Sequence, residues 1–172
     1  MKRIMLDTNI YGLIAGDNDR LKIVNAMLKS GFIFYGTKLN RDELRAVPRN
    51  LIVDGRNLRV DLLTLFDGVV GTHIYAITKE MEEIADNYYK TYVEFGGSKS
   101  KSDIIKDFII VACAAVHNLD IVVSNDEKSM LTENALKSFK LVNSIIKKNT
   151  PNFIDYFNFK KILRGGISNE FI

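Results

Sequence analysis

Four carboxylates, Asp7, Glu43, Asp107 and Asp126, belong to four different segments of this chain, and turn or cap chemistry does not account for all of them. Asp7 follows the apolar run at the head of "IMLDTNIYGL", with Thr8 and Asn9 behind it. Asp126 closes a second apolar run, "IVVSND", behind Ser124 and Asn125. Asp, Asn, Ser and Thr all bond readily to nearby backbone, so capping explains either acid taken singly. Glu43 opens a short helix, "NRDELRAV", where Asn40 and Glu43 resemble a capping box and Asp42 faces solvent.

Asp107 resists such an account. It lies past the first turn of "DIIKDFIIVACAAVHNL", a helix apolar on almost every side, and shares a face with Ile110, Val111 and Ala114. Asp103 stands one turn earlier on that face, where like charges repel by about 0.2–0.5 kcal/mol. Asp103 itself answers the helix dipole, following Ser100 and Ser102. Lys106 is adjacent in sequence and points elsewhere on the helix. The Asp107 charge therefore calls for a divalent cation, or a basic residue from another element. Oxygen ligands without Cys or His are the donor set of magnesium or manganese. Four acids suit one or two ions, and two would clamp both reacting oxygens of a phosphodiester.

The elements that must position these acids alternate. "KRIML", "FIFYG" and "DIVVSND" read as strands. "DRLKIVNAMLKS" puts Leu21, Val24, Met27 and Leu28 at helical spacing, and residues 77–95 form a long amphipathic helix. A further helix falls within 130–148, and "TPNFIDYFNFKKIL" supplies a last strand and helix. Between them, residues 50–76 show one helix around "LRVDLLTLF" and little else, while "GGSKSKS" reads as a flexible basic loop. The alternation predicts an α/β fold, a three-layer α/β/α sandwich around a mostly parallel sheet. Ligands bind such sheets outside the carboxyl ends of the strands, where Asp7 and Asp126 fall. We expect one domain over 1–164 and a loose tail over 165–172.

Composition sets outer bounds. The chain has 172 residues, 47 % of them hydrophobic, with 24 basic against 21 acidic side chains and a net charge of +3. That is large enough for a real core, and too weakly basic to argue for nucleic acid alone. The single Cys113 sits in an apolar run, which fits a reducing compartment. With neither a signal pattern nor a long apolar span, the expectation is a cytoplasmic protein without membrane contact. His117 answers the dipole at the end of its helix, and His73 has no assignable role. Serine-hydrolase elbows, phosphate-binding glycine loops and zinc clusters are absent from the sequence.

In order, "IMLDTN", "RDEL", "KDFIIVACAAVHNLDIVVSND" and "TPNFIDYFNFKKIL" resemble the PIN domain family, which includes the VapC toxins of toxin–antitoxin systems. The resemblance spans roughly residues 2–164 and implies an acidic quartet of Asp7, Glu43, Asp107 and Asp126, with Asp103 as an extra metal-binding acid. It also implies supporting roles for Thr8, Asn9 and Ser124, with Mg²⁺ or Mn²⁺ as cofactor. The activity implied is hydrolysis of RNA phosphodiesters by a metal-activated water, with an antitoxin protein and a second copy of the chain as partners. Two departures stand out: the chain is longer than the compact toxins, mainly within 49–102, and Asn125 stands where many relatives carry a basic residue.

Lys99, Lys101 and Lys106 surround the acidic segment and are the expected contacts to RNA phosphates. The aromatic residues of "YYKTYVEF" suit helix packing more than base stacking, and the helix that carries them is the expected dimer surface. Two other readings compete. A PIN-like module could bind RNA or protein without catalysis, and another metal hydrolase could use a similar sheet. Asn9 stands where a haloacid-dehalogenase-type phosphatase would need a second Asp, which disfavours aspartyl-phosphate chemistry.

Overall fold

Ile4, Met5 and Leu6 are all fully buried, although successive side chains of a strand point to opposite faces. Such a strand needs apolar cover on both sides, which parallel sheets obtain from flanking helices. A computed structural model describes residues 1–165. Its elements in chain order are β1 (Arg3–Leu6), α1 (Thr8–Gly16), α2 (Arg20–Lys29), β2 (Ile33–Thr37), α3 (Lys38–Ala46), β3 (Ile52–Val53), β4 (Arg56–Asn57), α4 (Leu58–Val70), β5 (Ile74–Tyr75), α5 (Lys79–Glu94), α6 (Lys101–Val116), β6 (Ile121–Val123), α7 (Glu133–Ile145), β7 (Asn152–Ile154) and α8 (Tyr156–Gly165).

The fold is α/β, with a parallel sheet ordered β5-β2-β1-β6-β7. Ile4 and Leu6 face a core shared with α1, α2, α4 and α8, while Met5 and Val122 face one built with α5, α6 and α7. The chain moves outward from β1 to β2, then returns to lay β6 on the opposite edge of β1. That reversal opens a crevice between the carboxyl ends of β1 and β6, the usual ligand position in such sheets.

Helix α6 is buried from Ile104 to Ala115 on nearly all sides, as its composition requires. Helix α5 covers it with Met81, Ile84, Ala85, Tyr88 and Tyr92. The Tyr88, Phe108 and Phe139 rings meet edge-on, and the Tyr88 hydroxyl donates to buried Asn143 at 2.5 Å. The apolar side of α5 is thus consumed within the chain, and the aromatic residues serve packing. A dimer through this helix would have to use its outer face, where of the apolar residues only Val93 is well exposed, together with the capping Phe95.

Several local expectations change. Helix α1 begins directly after Asp7, whose carboxylate caps it by accepting from the Thr8 backbone N–H. The helix-α3 cap is Thr37, in a reciprocal box with Asn40, so Glu43 is free of capping duty. Within 50–76 the structure adds a two-stranded hairpin, β3–β4, turning at Asp54 (φ 49°) and Gly55 (φ 74°). It also adds the edge strand β5, and extends the single expected helix to Val70. Helix α2 buries Ile23 and Met27, leaving Leu21 and Leu28 69 % and 61 % exposed. Helix α8 runs through Gly165, and the rest of the expected tail lies outside the described residues. Among the described residues no helix is long and apolar enough to cross a membrane.

Candidate functional site

Asp7 and Ser124 continue β1 and β6 past their last paired residues, on the two sides of the crevice. Asp7 is 4 % exposed and surrounded by donors. Its Oδ1 accepts from the Thr8 N–H at 2.6 Å, and its Oδ2 from Ser124 Oγ and Asn9 Nδ2, both at 2.7 Å. Burial nevertheless dominates and pushes its carboxyl up to about 6, with Asp126 and Glu43 adding like charge.

Glu43 enters from α3. Its Oε2 accepts from Thr8 Oγ1 at 2.6 Å, and Thr8 Oγ1 in turn accepts from Asn40 Nδ2 at 3.0 Å. Thr37 and Asn40, both fully buried, therefore aim the residue through Thr8. Lys106 reaches the other side of Glu43, with Nζ 3.6 Å from Oε1.

Asp107 comes down from α6. Among the described residues its one hydrogen bond is from Ser129 Oγ, at 2.6 Å, and no basic side chain pairs with it. Burial above all, helped by the like charges of Asp7, Asp126 and Glu43 and opposed by the Ser129 hydrogen bond, pushes its carboxyl up to about 7. Asp126 forms a tight turn after β6. Its Oδ1 accepts the Lys128 and Ser129 N–H groups at 2.9 and 3.0 Å, and its Oδ2 faces Ser129 Oγ. Burial works against the charge of Asp126, but these hydrogen bonds and the charge of Lys99 outweigh it and hold the carboxyl below its usual range.

Asp7, Thr8, Asn9, Glu43, Asp107 and Asp126 thus line one cleft of about 380 Å³, floored by Gly12, Leu44, Val47 and Leu62. Ser124 stands behind its wall as a donor to Asp7. Asp103 does not join them. It is exposed, accepts from Ser100 Oγ at 2.6 Å, and serves the first turn of α6. Lys101 pairs with Asp86 of α5 at 2.8 Å and also lies away from the cleft. The 96–100 loop is held in place: Tyr92 accepts from the Lys99 N–H and Tyr89 donates to the Lys99 carbonyl. Gly97 lies so close to the Tyr92 ring that a Cβ would stand 2.3 Å from it.

Sequence reasoning missed Asn40 as the support of Thr8, and missed Ser129 altogether. A hydroxyl three residues after an Asx-turn acid was the available signal. His117 stacks on Tyr75 with ring centres 3.6 Å apart, and burial lowers its pKa. Among the described residues no three Asp, Glu, His or Cys side chains close into a ready-made metal cage. The donor set is still all hard oxygen, and among the described residues no basic side chain pairs with Asp7 or Asp107.

No protein-family model matches the chain. No curated protein matches it either. Its fold is similar to a chain in the crystal structure of VapBC2 from Rickettsia felis bound to a DNA fragment from their promoter. The TM-score is 0.58 over 90 % of this chain and 98 % of that one, at 12 % identity. At that identity the likeness establishes a shared fold, and the geometry of the cleft must carry any reading of activity.

Proposed function

We propose that the chain is a Mg²⁺- or Mn²⁺-dependent ribonuclease whose site is the cleft of Asp7, Glu43, Asp107 and Asp126. The observation that carries this is Asp107, a half-buried carboxylate that has no basic partner among the described residues and shares its cleft with three further acids from three other elements. Unpaired buried charge costs stability, which a bound cation returns once pH is high enough to ionise the acids. Mg²⁺ takes one or two carboxylates directly and keeps several waters, so an open arrangement of this kind suits it. The residues to hold it are Asp7, Asp107 and Asp126, with Glu43 at the rim. When bound, the ion supplies Lewis acidity toward a phosphodiester.

The remaining work falls to the chain itself. Ser124, Asn9 and the Thr8 N–H keep Asp7 oriented, while Thr8 does the same for Glu43. Lys106 beside Glu43 and Lys99 near Asp126 offset the repulsion between the acids and an incoming RNA phosphate. The decisive test offers purified protein mixed RNAs with Mn²⁺, Mg²⁺ or EDTA, beside Asp107→Asn. Cleavage should require metal and fall by at least about 100-fold in the variant, as loss of a charge-stabilising group does. A folded protein that neither binds Mn²⁺ nor cleaves would be the non-catalytic module instead.

The proposal extends to a protein partner, the antitoxin that the resemblance implies. An apolar groove of about 290 Å³ runs between α1, α2 and α4, lined by Ile14, Leu21, Val24, Leu28 and Leu65. At one end Asp61 receives both Arg20 and Arg56 at 2.9 Å, which leaves a net positive charge there. The groove suits an apolar segment carrying a carboxylate at the matching end.

A further inference from the structure

Ser129 is 1 % exposed, yet it belongs to a short polar stretch between β6 and α7. Its neighbour Met130 is fully buried in the core beneath α6, which anchors this stretch against that helix. The Ser129 backbone N–H is committed to Asp126 Oδ1 at 3.0 Å. Its hydroxyl lies between Asp107 Oδ2, at 2.6 Å, and Asp126 Oδ2. One residue therefore touches two acids that arrive from different elements, α6 and the turn after β6.

A serine hydroxyl has a single hydrogen and can donate to only one of two carboxylates at a time. With both carboxyls ionised, two carboxylate oxygens and one hydroxyl oxygen share that hydrogen, so one contact is left as oxygen against oxygen. A cation drawing on these oxygens relieves the conflict. A chain needing only a turn would satisfy Asp126 with the two backbone N–H groups it already has.

We propose that Ser129 is a positioning residue: its hydroxyl yokes Asp107 to Asp126 and sets their separation for an ion held by both. The proposal rests on the metal-site reading above. It assigns to Ser129 the role that Ser124 fills toward Asp7 and Thr8 toward Glu43, except that Asp107 and Asp126 share this one hydroxyl. Removing such an outer partner typically costs about 10–100-fold in metal affinity.

The test measures Mn²⁺ affinity by electron paramagnetic resonance for the full chain, Ser129→Ala, Ser129→Thr and Asp107→Asn, with metal-free melting curves for each. Ser129→Ala should bind Mn²⁺ about 10–100-fold more weakly while melting near the wild-type temperature without metal. Ser129→Thr, which keeps the hydroxyl, should restore most of the affinity. Wild-type affinity in Ser129→Ala would overturn the proposal, as would failure of that variant to fold or failure of Ser129→Thr to restore binding. If Asp107→Asn loses Mn²⁺ while Ser129→Ala keeps it, the metal site stands and the yoke does not. If the wild-type chain binds no Mn²⁺, the metal-site reading falls and the yoke with it.

Discussion

Asp7 and Asp107 hold their protons further up the pH scale than any free aspartate. Both start from 3.8 and reach about 6 and about 7, chiefly because burial disfavours the charged form. The folded chain therefore keeps protons that the unfolded chain has already released. Between about pH 4 and about pH 7 the metal-free protein should lose stability as pH rises, since the native state binds more protons there. Asp17 and Asp67, held low by Lys160 and Arg41, act in the opposite sense and only in more acidic solution. Melting curves in EDTA should fall across the higher window, and Mn²⁺ should restore the loss near its upper end but do little near pH 5, where protons occupy the ligands. A melting temperature that climbs steadily with pH through this window would contradict the uncompensated burial of these acids.

Elements carry the acids to the cleft through contacts remote from it. Gly36 of β2 precedes Thr37, which caps α3 and so aims Glu43. A Cβ at Gly36 would stand 2.7 Å from the ring of fully buried Phe66 on α4. Gly36→Ala should cost about 1–3 kcal/mol of stability by overpacking, read by urea unfolding, and should weaken activity through Glu43. An unchanged midpoint would mean that the Phe66 ring yields freely. At this scale β1, β6 and α6 were legible as unbroken apolar runs and α5 by its helical period, because each buries the residues so marked. Helix α1 was not, since its apolar residues follow those of β1 with only Asp7, Thr8 and Asn9 between, which read as a turn. The hairpin β3–β4 was missed although Asp54-Gly55 is a strong turn signal. Its strands of two residues each are too short to show alternation.

For the whole molecule, charge and exposed apolar surface decide what it meets. Lys99 and Lys106 stand beside the cleft, whereas Lys101 is engaged with Asp86. Replacing Lys99 and Lys106 with Ala should weaken RNA binding and flatten its salt dependence, by about 0.7 in log–log slope for each phosphate no longer neutralised. Lys101→Ala should leave the slope unchanged, and an equal effect from Lys101 would show that RNA is held by diffuse charge rather than at the cleft. Leu21 and Leu28 rim the α1–α2–α4 groove and contribute little to the core. Leu21→Asp and Leu28→Asp should leave the melting temperature within a few degrees while abolishing capture of a protein partner. A large loss of stability would place both residues in the core instead.

By itself the amino-acid sequence determined the alternation of strands and helices, hence the parallel sheet, and it marked Asp107 as a charge without local excuse. These are properties of period and of neighbours within one element, which a single chain of residues displays. Only the tertiary structure decided which acids meet. It brought Asp7, Glu43, Asp107 and Asp126 to one cleft, turned Asp103 and Lys101 outward, and set Ser129 between two carboxylates. The physical reason is that hydrogen bonds between α1 and α3, or between α6 and the turn after β6, join residues distant in sequence. Neither their partners nor their distances exist until the sheet has set the elements side by side.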